Sequence, residues 1–476
     1  MTSDHAVSNV VLITVDSLRA DAVGAYDDRR YTPEIDSLAD RGTVFERAFA
    51  TGNWTPFSFP SLLASRPVFA DDGRVGVESV ETLSETLSAA DVATGGFNAA
   101  NGFLTSHWGY DTGFDTFESF VASVGDSIYS RYLATHPTVE AWVQLATSPF
   151  RRANAWLSAE TERRPFLDTS RMFDVERGAR SFVEGTEEPF FLWVHYMDAH
   201  TPYVPAPRYI REVASDRFGT HRMLLAHAHA GLGREVGDRT LGHLRTLYQS
   251  AVRQVDDSVG RLLETLDAED VADETAVVLA GDHGEEFQDH GHLAHYPKLY
   301  DELIRVPLIV DVPGTDGDRI EGQVGLDAVP PTVTDLLGVE APSSWRGDSL
   351  VPAVRDGVEP ADEPVVSVTV RGESVTEQPI PRSLADGDLL VSVRDRDWTY
   401  IVNTETGATE LYDRSVDPDQ QDDRADDGSE TADAVIGELA PVADAHAELL
   451  RGNGGEERDA ELDTDLEARL DALGYK

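Results

Sequence analysis

Two carboxylates and a histidine follow apolar runs that lie far apart in the chain. Asp282 and His283 come soon after the run 275–279, and Asp16 follows the run 9–15. Short β-branched runs bounded by turn residues are typical of buried parallel strands, and ligands bind at the carboxyl ends of such strands in open α/β sheets. If the two strands are neighbours, the three side chains meet at one sheet edge. Adjacent carboxylates repel unless they share a proton or a cation, and the added histidine favours a divalent metal.

A threonine at a predicted helix start supplies a further chemical feature. Thr55 precedes Pro56, and threonine followed by proline is typical of a helix N-terminus with the threonine as the cap. Free backbone N–H groups and the helix dipole at such a terminus attract anions. The pattern therefore predicts either an anion-receiving helix start or a capping threonine without chemistry, and the segment alone leaves both interpretations open.

The remaining pattern predicts the α/β elements that position these residues. A third apolar strand over residues 189–196 leads into a polar loop, and an amphipathic helix over residues 247–266 packs on the sheet. From about residue 385 the sequence changes to short alternating strands, which indicate a small antiparallel sheet. We predict a catalytic domain over 1–384 with an insertion or cap over about 125–185, a small sheet subdomain over 385–425, and an acidic helical tail over 426–476.

Composition restricts the classes of partner and compartment. The 476 residues include 39 basic and 87 acidic ones, giving a formal charge of −48, and only two of the basic residues are lysines. Acid excess spread along the chain indicates a protein suited to very high salt, where the Debye length falls to about 3 Å at 1 M. The same sign of charge disfavours nucleic acid as a partner.

The absence of cysteine and of long apolar runs narrows the site chemistry and the location. With zero cysteines, the chain has no disulfides, thiolate metal ligands or thiol nucleophiles. The N-terminus lacks a basic flank followed by an apolar segment, and no run of about 20 apolar residues occurs. We expect a cytoplasmic protein without a membrane span, in a high-salt cytosol, and leave its oligomeric state open.

The order of the motifs resembles the sulfatase family of the alkaline phosphatase superfamily, in a haloarchaeal-like version. The matching segments are Asp16-Ser17-Leu18-Arg19, Thr32-Pro33, Gly281-Asp282-His283-Gly284-Glu285, Leu299-Tyr300-Asp301-Glu302, Pro331-Thr332-Val333-Thr334-Asp335 and Glu410-Leu411-Tyr412-Asp413. This resemblance implies a large mixed sheet flanked by helices, followed by a small C-terminal antiparallel sheet. It also implies hydrolysis of sulfate or phosphate esters with a divalent cation.

The chain departs from the family at the nucleophile. Sulfatases carry a Cys or Ser there that is oxidised to formylglycine, whereas the corresponding position here is Thr55 and the family arginine falls on Phe59. Threonine cannot become the aldehyde, so a threonyl ester must be cleaved by water at sulfur or phosphorus. The phosphodiesterase and phosphotransferase branches, which use threonine unmodified, resemble the chain better here. A phosphodiesterase, a phosphoglycerol- or phosphoethanolamine-type transferase, and an inactive binding protein of this fold are the alternatives.

The resemblance also implies roles for individual residues. Thr55, His200 and Lys298 are the expected catalytic residues, Asn101 and His295 are expected to bind substrate, and Thr55 joins Asp16, Asp282 and His283 as a metal ligand. Alternatively, Asp198, His200 and His295 form a second metal site, as in the two-metal branch. His195 is expected to be structural. The oxygen-rich donor set suits Mn, Mg, Ca or Zn, and the expected partner is a small-molecule or glycan sulfate or phosphate ester.

Overall fold

The fold is built around one central strand. The computed structural model describes residues 7–71, 73–121, 171–186, 189–214, 222, 225–226, 236–372 and 381–452. β1 (Asn9–Val15) pairs in parallel with β5 (Phe190–Tyr196) on one side and with β6 (Thr275–Gly281) on the other. All three strands are buried along their whole length, which explains why each appears in the sequence as a nearly continuous apolar run.

These three strands are the middle of a nine-stranded mixed sheet. Its other members are β2 (Thr43–Phe49), β3 (Ala93–Asn98), β4 (Thr116–Glu118), β9 (Arg305–Val306), β10 (Leu308–Asp311) and β11 (Arg319–Gly325). The order is β11-β2-β10-β6-β1-β5-β3-β4, and β9 pairs with β2. β10 runs antiparallel to both of its neighbours, so the sheet is mixed, as predicted. β7 (Glu286–Phe287) and β8 (Leu293–Ala294) form a separate hairpin beside the site.

Helices cover both faces of the sheet. The described helices are α1 (Pro33–Arg41), α2 (Thr55–Ala64), α3 (Leu83–Ser88), α4 (Met172–Gly185), α5 (Pro207–Val213), α6 (Asp238–Ala268), α7 (Asp301–Ile304), α8 (Val329–Leu336), α9 (Val351–Asp356) and α10 (Glu430–Gly452). On β1, Val11 and Ile13 pack in one core with α1, α4 and α6, while Val10 and Leu12 pack in the other core with α2, α3 and α8. The period-2 alternation of β1 thus divides the apolar core into two layers.

A small antiparallel sheet follows, as the sequence predicts. It consists of β12 (Val365–Arg371), β13 (Asp388–Arg394), β14 (Trp398–Asn403) and β15 (Thr409–Asp413), in that order. Its first strand precedes the predicted boundary at residue 385, and α10 buries Leu439 and Ala443 in the core shared with the small sheet. The division of the chain into three domains stays a prediction.

Some sequence-based expectations lie outside the described residues. Most of the predicted insertion over 125–185 belongs to this part of the chain, as does the last half of the acidic tail, and only α4 falls within the described part of the insertion. Among the helices of the described ranges, none combines the length and the apolar character that a membrane crossing requires.

Candidate active site

Asp16 and Asp282 lie side by side because their strands are parallel neighbours. Asp282 directly follows β6, and its N–H donates to the carbonyl of Val15, the last residue of β1, at 3.1 Å. Both carboxylates are fully buried. Oδ1 of Asp282 accepts hydrogen bonds from the N–H groups of Ser17 and His283 at 3.0 and 2.7 Å. Its Oδ2 is buried and has no hydrogen-bond partner among the described residues.

The two carboxyl groups have opposite tendencies to ionise. Burial opposes ionisation of Asp16, but the three histidines around it (His200, His195 and His283) outweigh burial and hold the pKa of Asp16 well below its usual range. Burial and the neighbouring Asp16 raise the pKa of Asp282 well above its ordinary value. The pair by itself therefore favours one negative charge, and a divalent cation would allow both carboxylates to ionise.

Thr55 points at this pair from the start of α2. Its hydroxyl oxygen lies 3.3 Å from Asp16 Oδ2 and 3.4 Å from His283 Nε2, and the side chain is fully buried. The expectation that Thr55 caps α2 is wrong: Thr55 is the first helical residue, Trp54 is the N-cap, and there is no side-chain capping bond. The physical reason is that the hydroxyl turns toward the carboxylate and the imidazole instead of toward the helix backbone.

Asn101 completes the polar environment of Thr55. Its Nδ2 donates to Asp16 Oδ2 at 2.9 Å and lies 3.3 Å from the Thr55 hydroxyl. Its Oδ1 accepts the N–H of Phe103 at 2.9 Å, which fixes which end of the amide faces the site. Asn101 therefore directs the N–H groups of its Nδ2 toward Asp16 and Thr55.

Two histidines turn their Nε2 atoms toward the carboxylates. Nδ1 of His283 lies 2.9 Å from the carbonyl of Gly284 and donates to it, so Nε2 is the acceptor of the neutral ring. Nδ1 of His195 lies 3.0 Å from the Thr14 hydroxyl. That hydroxyl accepts a hydrogen bond from Trp193 Nε1 at 3.0 Å and lies 3.4 Å from the carbonyl of Val194, so its partners allow either tautomer of His195.

These acceptors converge at distances that suit a cation. Nε2 of His195 lies 3.7 Å from Asp16 Oδ2, and Nε2 of His283 lies 3.5 Å from Asp16 Oδ1 and 3.7 Å from Asp282 Oδ2. Within the described ranges, one group of acidic and histidine side chains (Asp16, His195 and Asp282) has its ligand atoms within 4.8 Å of one another. His195 Nε2, like Asp282 Oδ2, is buried without a hydrogen-bond partner in that part of the chain. Lone pairs facing lone pairs in a buried space fit a divalent metal ion.

The sequence predicts a structural role for His195, and the structure places it in the candidate metal group. Nothing in the pattern of residues 189–196 marks it, because a histidine in a buried strand has the same appearance in either role. The deciding fact is that β5 lies next to β1, which turns His195 toward Asp16.

His200 and His295 lie together on the other side of His283. Their Nε2 atoms are 3.1 Å apart, and His295 Nδ1 lies 2.9 Å from Glu285 Oε2. Nδ1 of His200 donates to the carbonyl of Thr201, so the hydrogen between the two rings belongs to His295. Burial lowers the pKa of His200 to about 4 and that of His295 to about 3, and it raises the pKa of Glu285 to about 7. Glu285 has no sequence-based assignment.

Asp198 and Lys298 take part in other contacts. Asp198 Oδ1 accepts a hydrogen bond from Gln254 of α6 at 2.6 Å. Of the predicted second-metal trio, the structure thus brings together His200 and His295, with Glu285 rather than Asp198 beside them. Lys298 is buried and donates to both oxygens of Glu286 at 3.2 and 3.3 Å. Its expected catalytic role stays a prediction.

Comparison with known proteins now decides the family. The family model described as Sulfatase matches residues 8–339, a segment that contains the residues of the site built above. The chain belongs to the sulfatase family. As a member of this family it is a sulfuric ester hydrolase.

Individual sulfatases are distant from this chain in sequence. It is 23% identical over 439 residues to the ulvan-active sulfatase of Formosa agariphila, covering 87% of this chain and 76% of the relative. It is 22% identical over 479 residues to the Delta 4,5-hexuronate-2-O-sulfatase of Bacteroides thetaiotaomicron, covering 98% and 94%. The phosphonate monoester hydrolase of Agrobacterium radiobacter has the same fold, with a TM-score of 0.67 at 18% identity over 94% of this chain and 96% of that one.

Phe59 is an apolar residue that packs against this sulfatase site. The ring is fully buried on α2 and meets the edge of His195 at a centroid distance of 5.1 Å and an angle of 90°. It also contacts Trp193 and Tyr110. A phenyl ring therefore stands behind one candidate metal ligand, at the position where the resemblance expects an arginine.

Proposed function

We propose that this sulfatase hydrolyses sulfate or phosphate esters with the Thr55 hydroxyl as an unmodified nucleophile. The observation that carries the proposal is the position of Thr55 Oγ1, 3.3 Å from Asp16 Oδ2 and 3.4 Å from His283 Nε2. A hydroxyl between a carboxylate and an imidazole lone pair has two acceptors for its proton, which is the arrangement an oxygen nucleophile needs.

The residues that would hold a divalent cation are Asp16, Asp282, His283 and Thr55, with His195 in reach of the same space. When bound, such an ion lowers the pKa of a hydroxyl and neutralises charge on an ester oxygen. Its identity among Ca, Mg, Mn and Zn, and the presence of a second ion, are open to measurement.

The reaction would proceed in two displacements. Thr55 Oγ1, whose hydroxyl proton has been lost to solvent, would attack sulfur or phosphorus in line, and the departing ester oxygen would take up a proton from solvent. Water, or an alcohol in the transferase alternative, would then attack the same sulfur or phosphorus and give up one proton, while Thr55 Oγ1 regains one. His200, whose low pKa keeps it neutral at pH 7, would contact the ester or its leaving group.

The donors for the equatorial oxygens differ from those the sequence predicts. The helix start offers few free N–H groups, because Pro56 has none and the N–H groups of Phe57 and Ser58 both bond the carbonyl of Trp54. We assign this stabilisation to Nδ2 of Asn101, which lies 3.3 Å from Thr55 Oγ1. The names of the relatives, an ulvan-active and a hexuronate-2-O-sulfatase, support a sulfated sugar as the substrate.

The test is turnover of 4-nitrophenyl sulfate, 4-nitrophenyl phosphate, 4-nitrophenyl phenylphosphonate and bis(4-nitrophenyl) phosphate in molar KCl, with each metal added singly. Thr55→Ala should reduce kcat by roughly 10³-fold or more, and Thr55→Ser should keep substantial activity. Thr51→Ala is a matched control, because the Thr51 hydroxyl lies in the same loop but donates to Ser61.

The outcomes separate the candidate functions. Turnover of the sulfate or phosphate monoester, with a covalent sulfo or phospho group on the Thr55 peptide, supports the proposal. A preference for the diester and transfer to added alcohols favour the phosphodiesterase or transferase alternative. No turnover with any metal, together with ligand binding, favours the binding protein. Unchanged kcat in Thr55→Ala would exclude Thr55 as the nucleophile.

A further inference from the structure

The end of β12 lies beside the loop that leads to Thr55. Val368 forms a parallel bridge with Gly52, and its N–H donates to the carbonyl of Thr51 at 2.9 Å. Because the bridge is parallel, the chain from Val368 to Arg371 runs in the same direction as the chain from Gly52 to Thr55. Arg371, the last residue of β12, follows three residues after the bridge on its segment, and Thr55, the first residue of α2, follows three residues after it on the other.

Arg371 also contacts the loop that carries His295. Its Nε and Nη2 donate to the carbonyl of Pro297 at 3.3 and 3.0 Å. On the opposite side, Nδ2 of Asn53 donates to the carbonyl of Tyr296 at 3.0 Å and lies 3.4 Å from that of His295. The guanidinium is thus separated from His295, and so from His200, by one short stretch of loop.

Among the described residues, Arg371 lacks the carboxylate partner that neighbouring cationic side chains have. Lys298 binds both oxygens of Glu286, and Arg19 binds Asp21 and Asp289. Arg371 has no carboxylate within 4.0 Å in the described part of the chain, although acidic residues outnumber basic ones 87 to 39. Arg371 is partly exposed.

An aromatic ring and an imidazole lie near the Arg371 guanidinium. The Arg371 guanidinium carbon lies 5.9 Å from the centroid of the Tyr296 ring, and His292 stacks on that ring at 3.7 Å and 25°. Nδ1 of His292 is buried without a hydrogen-bond partner among the residues that the structure describes. The surroundings therefore combine a guanidinium group, which can bind an anion, with an aromatic ring and an imidazole nitrogen that has no hydrogen-bond partner among the described residues.

We propose that Arg371 binds a second anionic group of the substrate, a carboxylate, sulfonate or sulfate that is not the ester being cleaved. This inference rests on the proposed function, because it places the substrate between Thr55 and β12. It narrows the substrate class to molecules with two oxyanions, one at the nucleophile and one at the guanidinium. Planar guanidinium groups suit such oxyanions because they can donate two parallel hydrogen bonds.

The test compares aryl sulfate and phosphate esters that differ in one remote group. The three probes carry a carboxymethyl, a sulfonatomethyl or a neutral carboxamidomethyl group on the ring. The wild-type protein should turn over an anionic probe with kcat/KM about tenfold or more above the neutral probe. In Arg371→Gln this ratio should fall toward one, in Arg371→Lys it should fall less, and in the control Arg355→Gln, an exposed arginine on α9, it should not change.

Each outcome supports or overturns the assignment. Which anionic probe is preferred distinguishes a carboxylate from a sulfur oxyanion. Equal kcat/KM for all three probes in the wild type, or a preference that survives in Arg371→Gln, overturns the proposal. An equal loss on all probes shows that Arg371 only holds the Pro297 loop, which also overturns it. If no probe is turned over, the same comparison is made by measuring calorimetrically how tightly the probes bind to the wild type and to Arg371→Gln. Failure of the proposed hydrolase function can then be distinguished from failure of the proposed role of Arg371.

Discussion

His195 Nε2 lies 3.7 Å from Asp16 Oδ2, and the two residues belong to adjacent parallel strands. Both side chains are fully buried, and His195 Nε2 has no hydrogen-bond partner among the described residues. A divalent cation between the imidazole nitrogen and the carboxylate would satisfy both atoms. We therefore expect the geometry of this pair to depend directly on a bound cation.

Replacing His195 should weaken metal binding. We expect His195→Gln to lower the affinity for the preferred divalent ion by about tenfold or more, measured by competition with a fluorescent chelator. His446→Gln, in α10 and away from the site, is the matched control and should bind as the wild type does. If His195→Gln retains full affinity while Asp16→Asn loses it, His195 is structural, as the sequence alone suggests.

Removing one carboxylate should stabilise the metal-free protein. The raised pKa of Asp282 means that folding without metal forces this carboxyl toward its protonated form. Asp282→Asn removes that cost, so we expect the free energy of unfolding in chelator to rise by roughly 1–3 kcal/mol. With saturating metal the order should reverse, because only the wild type gains ligand-binding energy. Urea denaturation in both conditions measures the effect, and Asp273→Asn, an exposed position, controls for the change in net charge. A loss of stability in chelator would contradict the prediction.

Phe59 should not accept the arginine that the resemblance places there. Phe59→Arg buries a cation against His195 and Trp193, and we expect it to cost about 3–5 kcal/mol in urea denaturation without increasing sulfatase turnover. Phe59→Leu preserves an apolar side chain and should cost less than about 1.5 kcal/mol. A stable Phe59→Arg protein with higher sulfatase activity would contradict this prediction and would show that the site does not require the Phe59 ring.

His290 should make stability decrease with rising pH. Its Nδ1 lies 2.6 Å from Glu302 Oε1 and its Nε2 lies 2.9 Å from the carbonyl of Gln420, so both nitrogens donate and the ring is cationic. Burial opposes this charge, but Glu302 and the Gln420 carbonyl outweigh burial and raise the pKa of His290 above its ordinary value of 6.5.

The sign of the pH effect follows from that shift. A raised histidine pKa stabilises the fold fully below the unfolded-state value near 6.5, and this contribution is lost as pH rises through the folded-state pKa. Thermal unfolding from pH 6 to pH 9 should therefore show a smaller decline for His290→Gln than for the wild type. The control is His107→Gln, whose imidazole lies against Trp108, and it should decline as the wild type does. Parallel declines in all three proteins would remove His290 as the cause.

The sequence predicts the position of those site residues that directly follow a strand. Asp16 and Asp282 each follow a buried apolar run, so their meeting at one sheet edge depends only on β1 and β6 being parallel neighbours. The place of His195 in the site could not be predicted in this way, because the residues that its side chain faces depend on which strand lies next to β5. The mixed sheet was predicted through the family resemblance, and the small antiparallel sheet was predicted both by the alternating pattern after about residue 385 and by the resemblance; both sheets are confirmed.

Side-chain partners in loops were harder to predict. Asp198 has the residue type and spacing of a metal ligand, yet Gln254 of α6 holds its carboxylate. Glu285 belongs to the matching segment 281–285 but received no role from it, and its contact with His295 at 2.9 Å emerges only in the structure. Such contacts depend on loop geometry and helix packing, which periodicity does not encode.

The position of β6 between β1 and β10 has a consequence for biogenesis. A chain still emerging from the ribosome already contains the first carboxylate and the proposed nucleophile, but it lacks the Asp-His pair until more than half of synthesis is complete. Binding of the proposed cation would then wait for insertion of this late strand into the middle of the sheet. Ion uptake during refolding would consequently mark closure of the central sheet, and prematurely terminated chains would neither capture the ion nor carry out chemistry.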